Sequence, residues 1–272
     1  MDKANVKQMI RNEIVSSLLK TQKFLIVGNW KMNQTKHEVM SFLDAIVDYD
    51  FGNKNKLVIV PSNPYLYLFE DKLRYSKILY GVQNVFPKNE GAFTGELSIQ
   101  MTKDFGCKYA ILGHSERRTL FNECDEFVSK KVRMCVQNQI IPILCIGENL
   151  EDRKNGNYKK FLTNQIKEGL SRISGEELKE VVIAYEPIWE IGTGETELPD
   201  QVEEINMFLR KFIIKEYGND KGKNITLTYG GSVKPSNVGE LALAQDVSGF
   251  LIGGASLESK TFKDISDILN GN

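Results

Sequence analysis

Eight short apolar runs, separated by charged segments with helical spacing, are the feature that most limits the folds open to this 272-residue chain. Each run is rich in Val, Ile, Leu, Phe or Tyr, and several are apolar at consecutive positions, which is typical of strands buried on both faces. Eight strands that alternate with about eight helices predict an α/β protein with a parallel sheet. The runs are Phe24–Lys31, Leu57–Ser62, Ile78–Val85, Tyr109–Ser115, Ile140–Glu148, Val181–Pro187, Ile225–Ser232 and Gly249–Ser256.

The segments between the runs carry helix signals. Apolar residues recur at helical steps between Val202 and Ile213 and again over Val128–Val136. Pro199 predicts a helix start, because proline is favoured in the first turn. Eight near-equal units in a chain of this length favour a closed (β/α)₈ barrel over residues 23–272. An open doubly wound sheet is the alternative, which the lack of a GxGxxG motif after the first run weakens.

Residues 1–22 lie outside this repeat and are predicted to form an N-terminal extension. Val6, Ile10, Ile14 and Leu18 are four residues apart, which predicts an amphipathic helix with these residues on its apolar face. An extra helix or a frayed arm is one interpretation. A targeting peptide is the alternative: several lysines favour it, whereas two acidic residues and the missing secretory apolar core oppose it.

The amino-acid composition argues against several classes of function. Lys plus Arg total 35 and Asp plus Glu total 36, so bulk charge does not favour binding to nucleic acid or to an anionic membrane. No stretch approaches the roughly 20 apolar residues that span a bilayer. The four cysteines show no CxxC spacing and only two histidines are present, so we expect no metal site and no disulfide framework. A reducing, cytoplasmic compartment is therefore expected.

Polar residues lie at the C-terminal ends of three of the apolar runs, where a barrel of this kind places its active site. Asn29 and Lys31 are two residues apart, so both should point to one face while Trp30 points away. His114 should lie near the N-terminus of a helical turn, where backbone dipoles favour a neutral imidazole. Glu186 is expensive to bury unless it is hydrogen-bonded or functional. The structural alternatives are a surface lysine, a structural histidine and a carboxylate paired with an arginine.

Glycine pairs end the seventh and eighth runs, at Gly230–Gly231 before Ser232 and at Gly253–Gly254. One such pair usually marks a turn. Two pairs after these two strands favour an anion site, because backbone N–H groups there can converge on a phosphate. The segment Ile188–Gly194, with apolar anchors and glycines, suggests a flap that closes over the site.

Several motifs, taken in order along the chain, resemble those of one known family. They are Asn29–Asn33, Gly91–Glu96 (GAFTGE), Ile111–Arg118 (ILGHSERR), Cys145–Glu148 (CIGE), Ala184–Pro187 with Ile191–Gly194, Tyr229–Val233 (YGGSV) and Gly249–Leu257. Together they resemble the triosephosphate isomerase family over about residues 23–272. The resemblance implies a TIM barrel and the interconversion of dihydroxyacetone phosphate and glyceraldehyde 3-phosphate through an enediolate, in glycolysis and gluconeogenesis. It implies no metal and no organic cofactor.

The resemblance also implies roles for single residues. Glu186 would be the base and His114 the electrophile. Lys31 and Asn29 would stabilise the developing oxyanion, and Glu116 would orient Lys31. The residues that would hold the substrate phosphate are Gly192, Ser232, Gly253 and Gly254. Independently, an enediolate needs hydrogen-bond donors on its oxygens, which a histidine and a lysine can supply.

The family usually forms homodimers, and Gly91–Glu96 resembles its interlocking loop. Thr94 would then reach towards the neighbour's Asn29 and His114. From the residues alone, this loop is only an exposed, glycine-rich turn.

The chain departs from the family in the flap. Glu190 stands where Ala or another small residue is common, and Glu195 and Glu197 stand in the far hinge. At about 10 Å in water, each carboxylate would cost on the order of 1 kcal/mol against a phosphate dianion. We therefore expect modestly weaker substrate affinity or altered flap kinetics.

Two other functions stay open at this point. Another phosphate-binding barrel with a different reaction would keep the glycine pairs but need not keep Asn29, Lys31, His114 and Glu186 together. A non-catalytic binding barrel would tolerate the loss of any of these four.

Overall fold

The computed structural model describes residues 3–190 and 198–272, and its centre is a closed barrel of eight parallel strands in the order β1 to β8. β1 pairs with β2 on one side and with β8 on the other, which closes the sheet. The predicted parallel barrel is therefore confirmed. The strands are β1 Leu25–Asn29, β2 Lys56–Val60, β3 Leu79–Val82, β4 Tyr109–Leu112, β5 Ile141–Ile146, β6 Val182–Tyr185, β7 Thr226–Tyr229 and β8 Gly249–Ile252.

Helices follow the strands and surround the barrel. As predicted, one begins at Pro199, and its buried residues Val202, Ile205, Leu209 and Ile213 face the barrel. No helix within residues 3–190 and 198–272 is long and apolar enough to cross a membrane. The α-helices in those ranges are α1 Lys3–Leu19, α2 Lys36–Ile46, α3 Leu66–Leu73, α4 Ile99–Asp104, α5 Ser115–Leu120, α6 Asp125–Gln137, α7 Leu150–Lys154, α8 Tyr158–Gly169, α9 Pro199–Tyr217, α10 Asn219–Gly222, α11 Pro235–Leu241 and α12 Ser259–Asn270.

The core has two layers because side chains alternate along each strand. In β1, Leu25 and Val27 belong to the cluster inside the barrel, whereas Ile26 belongs to the cluster between the barrel and the helices. In β6, Val182 and Ala184 lie inside in the same way. The next inward positions on these two strands fall at the upper rim of the barrel, where polar residues replace the apolar ones.

The N-terminal helix α1 packs against α11 and α12. Leu19 is fully buried there. The Ser16 hydroxyl donates a hydrogen bond to the Gly271 carbonyl at 2.6 Å, and Arg11 forms an ion pair with Glu240 at 2.9 Å. The extension is thus a helix docked on the barrel, close to the C-terminal end of the chain.

The apolar face predicted for this helix is wrong. Ile10, Ile14 and Leu18 are 53%, 55% and 50% exposed, and the packed side chains are instead Val15 and Leu19. A side chain at Gly239 of α11 would place its Cβ only 3.3 Å from the Val15 Cγ1 atom, so the docking groove is shaped by a missing side chain. Both residue sets have helical spacing, and only the partner surface decides between them.

This packing predicts unequal effects at two adjacent leucines. Leu19→Ala should lower the free energy of unfolding by about 2–4 kcal/mol, because it leaves a cavity under α1. Leu18→Ala, the matched control on the exposed face, should change it by no more than about 0.5 kcal/mol. Urea denaturation of both variants measures the difference. Equal losses would show that α1 is not docked through Leu19.

Candidate functional site

A cavity of about 340 Å³ opens at the C-terminal ends of the strands. It collects residues from separate parts of the chain, and most of the predicted site residues are among them. Its lining residues are Asn29, Lys31, His114, Glu186, Glu190, Gly230, Gly231, Ser232, Val233, Lys234, Leu251, Gly253, Gly254 and Ala255.

Asn29 and Lys31 both line this cavity, whereas Trp30 is fully buried in the outer core layer, as predicted. Lys31 has a left-handed backbone with φ +52°, which is uncommon for a residue with a side chain. Its carbonyl accepts hydrogen bonds from the Gln83 amide at 2.7 Å and the Ser62 hydroxyl at 2.9 Å. These bonds hold a strained backbone in place, a pattern that clusters at functional sites.

Lys31 is paired with Glu116, the residue predicted to orient it. The Nζ–Oε1 distance is 2.7 Å, and both side chains are partly exposed at the cavity mouth. The ammonium group is therefore positioned by a carboxylate on a different element, at the start of α5. The Asn29 amide oxygen adds a further contact by accepting the Lys31 backbone N–H at 3.1 Å.

His114 does not follow the inward alternation of β4. Gly113, directly before it, has φ +66°, a conformation that glycine adopts without strain, and there the strand turns into α5. The turn leaves the imidazole buried beside the cavity. The backbone N–H of Glu116 donates to Nδ1 at 3.2 Å, so in the neutral ring the hydrogen is carried by Nε2.

Glu186 continues the inward row of β6 and is 2% exposed. Its Oε1 atom lies 3.1 Å from His114 Nε2, and its Oε2 atom accepts the Ser115 backbone N–H at 3.4 Å. A Cβ atom at Gly230 would come within 2.9 Å of the Glu186 Cγ, so a glycine makes room for this side chain. The predicted base and the predicted electrophile are thus in direct contact.

The charge on His114 depends on this contact. Burial is the largest single influence and disfavours the imidazolium, but the carboxylates of Glu186 and Glu116 together outweigh it, and the pKa of His114 is raised overall. The expected neutral ring is consistent with the N–H donor at Nδ1 and is opposed by the carboxylate at Nε2. A ligand that separates the two side chains would remove the opposing influence.

The segments that follow β7 and β8 also line the cavity. Ser232, Gly253 and Gly254, three of the residues predicted to bind phosphate, are among the lining residues. The Gly253 Cα is close enough to Lys31 that an added Cβ would be 3.8 Å from the Lys31 Cε. A cation therefore flanks the predicted anion site. Gly192, the fourth residue predicted to bind phosphate, lies outside the described residues.

Glu190 occupies an unexpected place. The sequence places it on a solvated flap, but it is 2% exposed and lines the cavity. Its Oε2 atom accepts the Tyr229 hydroxyl at 2.8 Å and the Ser232 backbone N–H at 3.3 Å. Burial raises its pKa. Glu195 and Glu197 lie outside the described residues.

Glu148 and Arg118 support the site and were given no role by the sequence analysis. Glu148 is fully buried after β5 and accepts hydrogen bonds from the Tyr185 hydroxyl at 3.1 Å and from Trp189 Nε1 at 3.2 Å. It therefore anchors the turn that follows Glu186. Arg118 donates to the Gly113 carbonyl at 2.6 Å and fixes the turn before His114.

The sequence offered one signal for these supporting residues, which is their position just after a strand. Glu148 follows β5 and Gln83 follows β3, at the rim where polar residues gather. The side chains of Gln83 and Arg118 donate to backbone carbonyls, which carry no residue-specific signal.

Comparisons with known proteins agree with this geometry. A family model described as triosephosphate isomerase matches residues 24–269. The chain is 42% identical to the triosephosphate isomerase of Endomicrobium trichonymphae over 242 residues, which cover 89% of this chain and 96% of the relative. It is 41% identical to that of Finegoldia magna over 245 residues and 40% identical to that of Carboxydothermus hydrogenoformans over 246 residues. Both of these alignments cover 90% of this chain and 98% of the relative.

The contact between His114 and Glu186 predicts a change in titration. Glu186→Gln removes the carboxylate and leaves burial as the main influence, so the pKa of His114 should fall. NMR titration of the imidazole signals measures this, with His37, which is exposed on α2, as the internal reference. An unchanged or higher pKa would contradict the contact.

Proposed function

The chain belongs to the triosephosphate isomerase family, and we propose that the cavity at the strand ends is where it carries out that family's reaction. The enzyme is an aldose–ketose isomerase that interconverts dihydroxyacetone phosphate and D-glyceraldehyde 3-phosphate, in glycolysis and gluconeogenesis. The observation that supports the site most strongly is the 3.1 Å contact between Glu186 and His114, within the cavity that Asn29 and Lys31 also line.

Glu186 is the base in this proposal. Its carboxylate removes a proton from the carbon next to the substrate carbonyl, and the electron pair of the C–H bond forms the carbon–carbon double bond of the enediolate. The same carboxylate returns the proton to the neighbouring carbon. Its burial against His114 and the Ser115 N–H keeps it in one position and away from water.

His114 and Lys31 stabilise the charge that develops on the substrate oxygens. The Nε2–H of His114 donates to these oxygens, and the imidazole is suited to pass the oxygen-bound proton between them. The Lys31 ammonium and the Asn29 amide supply further donors, and Glu116 orients the ammonium at 2.7 Å. Donors fixed before the reaction need little rearrangement as charge develops.

The phosphate of the substrate binds to the backbone N–H groups of Ser232, Gly253 and Gly254, with Gly192 as a further contributor. The three described residues line the same cavity as Glu186 and His114. Binding energy from a group that does not react can then hold the three-carbon part in register with the base. The reaction uses no metal and no organic cofactor.

The active form is a homodimer in this proposal. The loop Gly91–Glu96 is exposed on the described chain. A second cavity, of about 680 Å³, lies next to Asn29 and His114, and the exposed Met32, Leu120 and Phe121 side chains line it. Thr94 of a second copy, carried on its loop, fits such an opening, and its insertion would cover these apolar side chains.

The remaining assignments concern domain organisation and location. Residues 23–272 form the catalytic barrel, and residues 1–22 are an appended segment whose helix docks on α11 and α12. The cytoplasm is the proposed location, since all four cysteines are free thiols.

Replacement of the base tests the proposed chemistry. Glu186→Gln and Glu186→Asp should lower kcat by about 10²–10⁴-fold, the usual contribution of a positioned acid–base group. A coupled isomerase assay measures this, with Glu258→Gln as a control that removes an exposed carboxylate on the same face of the barrel. Turnover of the Glu186 variants within a few-fold of the parent would rule out the assignment.

Disruption of the loop tests the dimer. Thr94→Arg should dissociate the protein, because a charged side chain cannot be buried without a partner. Sedimentation velocity should show a monomer, and kcat should fall by at least about tenfold. Ser171→Arg adds the same charge at the opposite end of the barrel and should change neither quantity. A fully active monomer at low concentration would contradict the proposal.

A further inference from the structure

The Glu190 carboxylate lies on the backbone group that the substrate phosphate needs. Its Oε2 atom accepts the Ser232 N–H at 3.3 Å and the Tyr229 hydroxyl at 2.8 Å. The residue is buried and lines the same cavity as Asn29, Lys31 and Glu186. A side-chain anion therefore lies on one edge of the anion site.

The surroundings are shaped to hold this carboxylate. A Cβ atom at Gly231 would lie 2.2 Å from the Glu190 Oε2 and 2.2 Å from the Tyr229 hydroxyl oxygen. Both distances are far shorter than non-bonded atoms allow, so only glycine fits at this position. The missing side chain at Gly231 thus provides the space in which the carboxylate reaches Ser232.

A bound phosphate and this carboxylate exclude each other. A phosphate oxygen within hydrogen-bond distance of the Ser232 N–H would take the position of the Glu190 oxygen, because one N–H group serves one strong acceptor. Both groups are anions, and their repulsion is poorly screened in a buried site.

We propose that Glu190 is an internal competitor for the substrate phosphate and sets the affinity of the site for phosphorylated ligands. The Ser232 N–H exchanges the Glu190 carboxylate for a phosphate oxygen when substrate binds. The effect is specific to the phosphate group, because the carboxylate holds the Ser232 N–H, which is proposed to bind the phosphate. This inference rests on the proposed function, which places phosphate at Ser232.

Removal of the carboxylate should strengthen phosphate binding. We expect Glu190→Ala to lower the Kd of inorganic phosphate by about tenfold, which corresponds to about 1.4 kcal/mol. Glu190→Gln keeps the shape and an acceptor oxygen but loses the charge, so its Kd should fall by a smaller factor. Isothermal titration calorimetry at a pH where phosphate is a dianion measures all three proteins.

A matched control separates contact from overall charge. Glu258 is exposed beyond β8, and its carboxylate accepts the Thr261 hydroxyl at 3.3 Å rather than a group of the cavity. Glu258→Gln should change the phosphate Kd by less than about twofold, because an exposed charge is screened by water and salt. An effect as large as that of Glu190→Gln would overturn the contact explanation.

Kinetics give a second readout. KM for the triose phosphates should fall in both Glu190 variants, and by a larger factor than KM for glyceraldehyde, which lacks the phosphate. Glu258→Gln should leave both KM values unchanged. If Glu190→Ala does not fold, as judged by thermal unfolding, Glu190→Gln decides alone. Unchanged or weaker phosphate binding in the folded variants would overturn the proposal.

The parent protein separates this inference from the proposed function. Isomerase turnover in the parent with competitive inhibition by phosphate would support the proposed site, whatever the Glu190 variants show. Absence of turnover, or phosphate binding that does not compete with substrate, would contradict the proposed site itself.

Discussion

The two-residue period of the strands is the constraint on which the site depends. A closed parallel barrel has room inside only for alternate residues, and these form its inner core. The inward rows of β1, β6 and β8 continue past the last apolar residue to Asn29, Glu186 and Gly253. Packing inside the barrel and placement of polar groups at its mouth are thus one geometric fact, which is why residues distant in sequence line one cavity.

The same period explains how much the sequence could predict. It was sufficient for the barrel, for the pair Asn29 and Lys31, and for the inward direction of Glu186. His114 lies off the alternation because Gly113 turns the chain, so its contact with Glu186 required three-dimensional coordinates. The buried position of Glu190 had no sequence signal, since a tyrosine hydroxyl and a backbone N–H far along the chain create it. The prediction of the packed face of α1 was wrong for a similar reason, because the surface on which α1 packs selects that face.

The site without substrate is internally paired. Lys31 is bonded to Glu116, His114 to Glu186, and the Ser232 N–H to Glu190. The contacts proposed between substrate and His114 and Ser232 therefore replace contacts within the protein, so that binding is in part an exchange of partners. Such a site keeps its donors and acceptors oriented in the absence of ligand, which limits the rearrangement needed when charge develops. It also limits the net affinity, because these new hydrogen bonds are offset by the ones that are lost.

The docking of α1 has a consequence for the durability of the whole chain. The first and last residues of most domains fray and are the usual entry points for proteases. Here the Ser16 hydroxyl holds the Gly271 carbonyl, and Lys54 donates to the carbonyls of both Leu19 and Leu269 at 2.7 Å. These hydrogen bonds tie α1 to the end of α12, so loosening either helix would loosen the other. Resistance of α12 to proteolysis is in this way a property conferred by a helix that lies far from it in sequence.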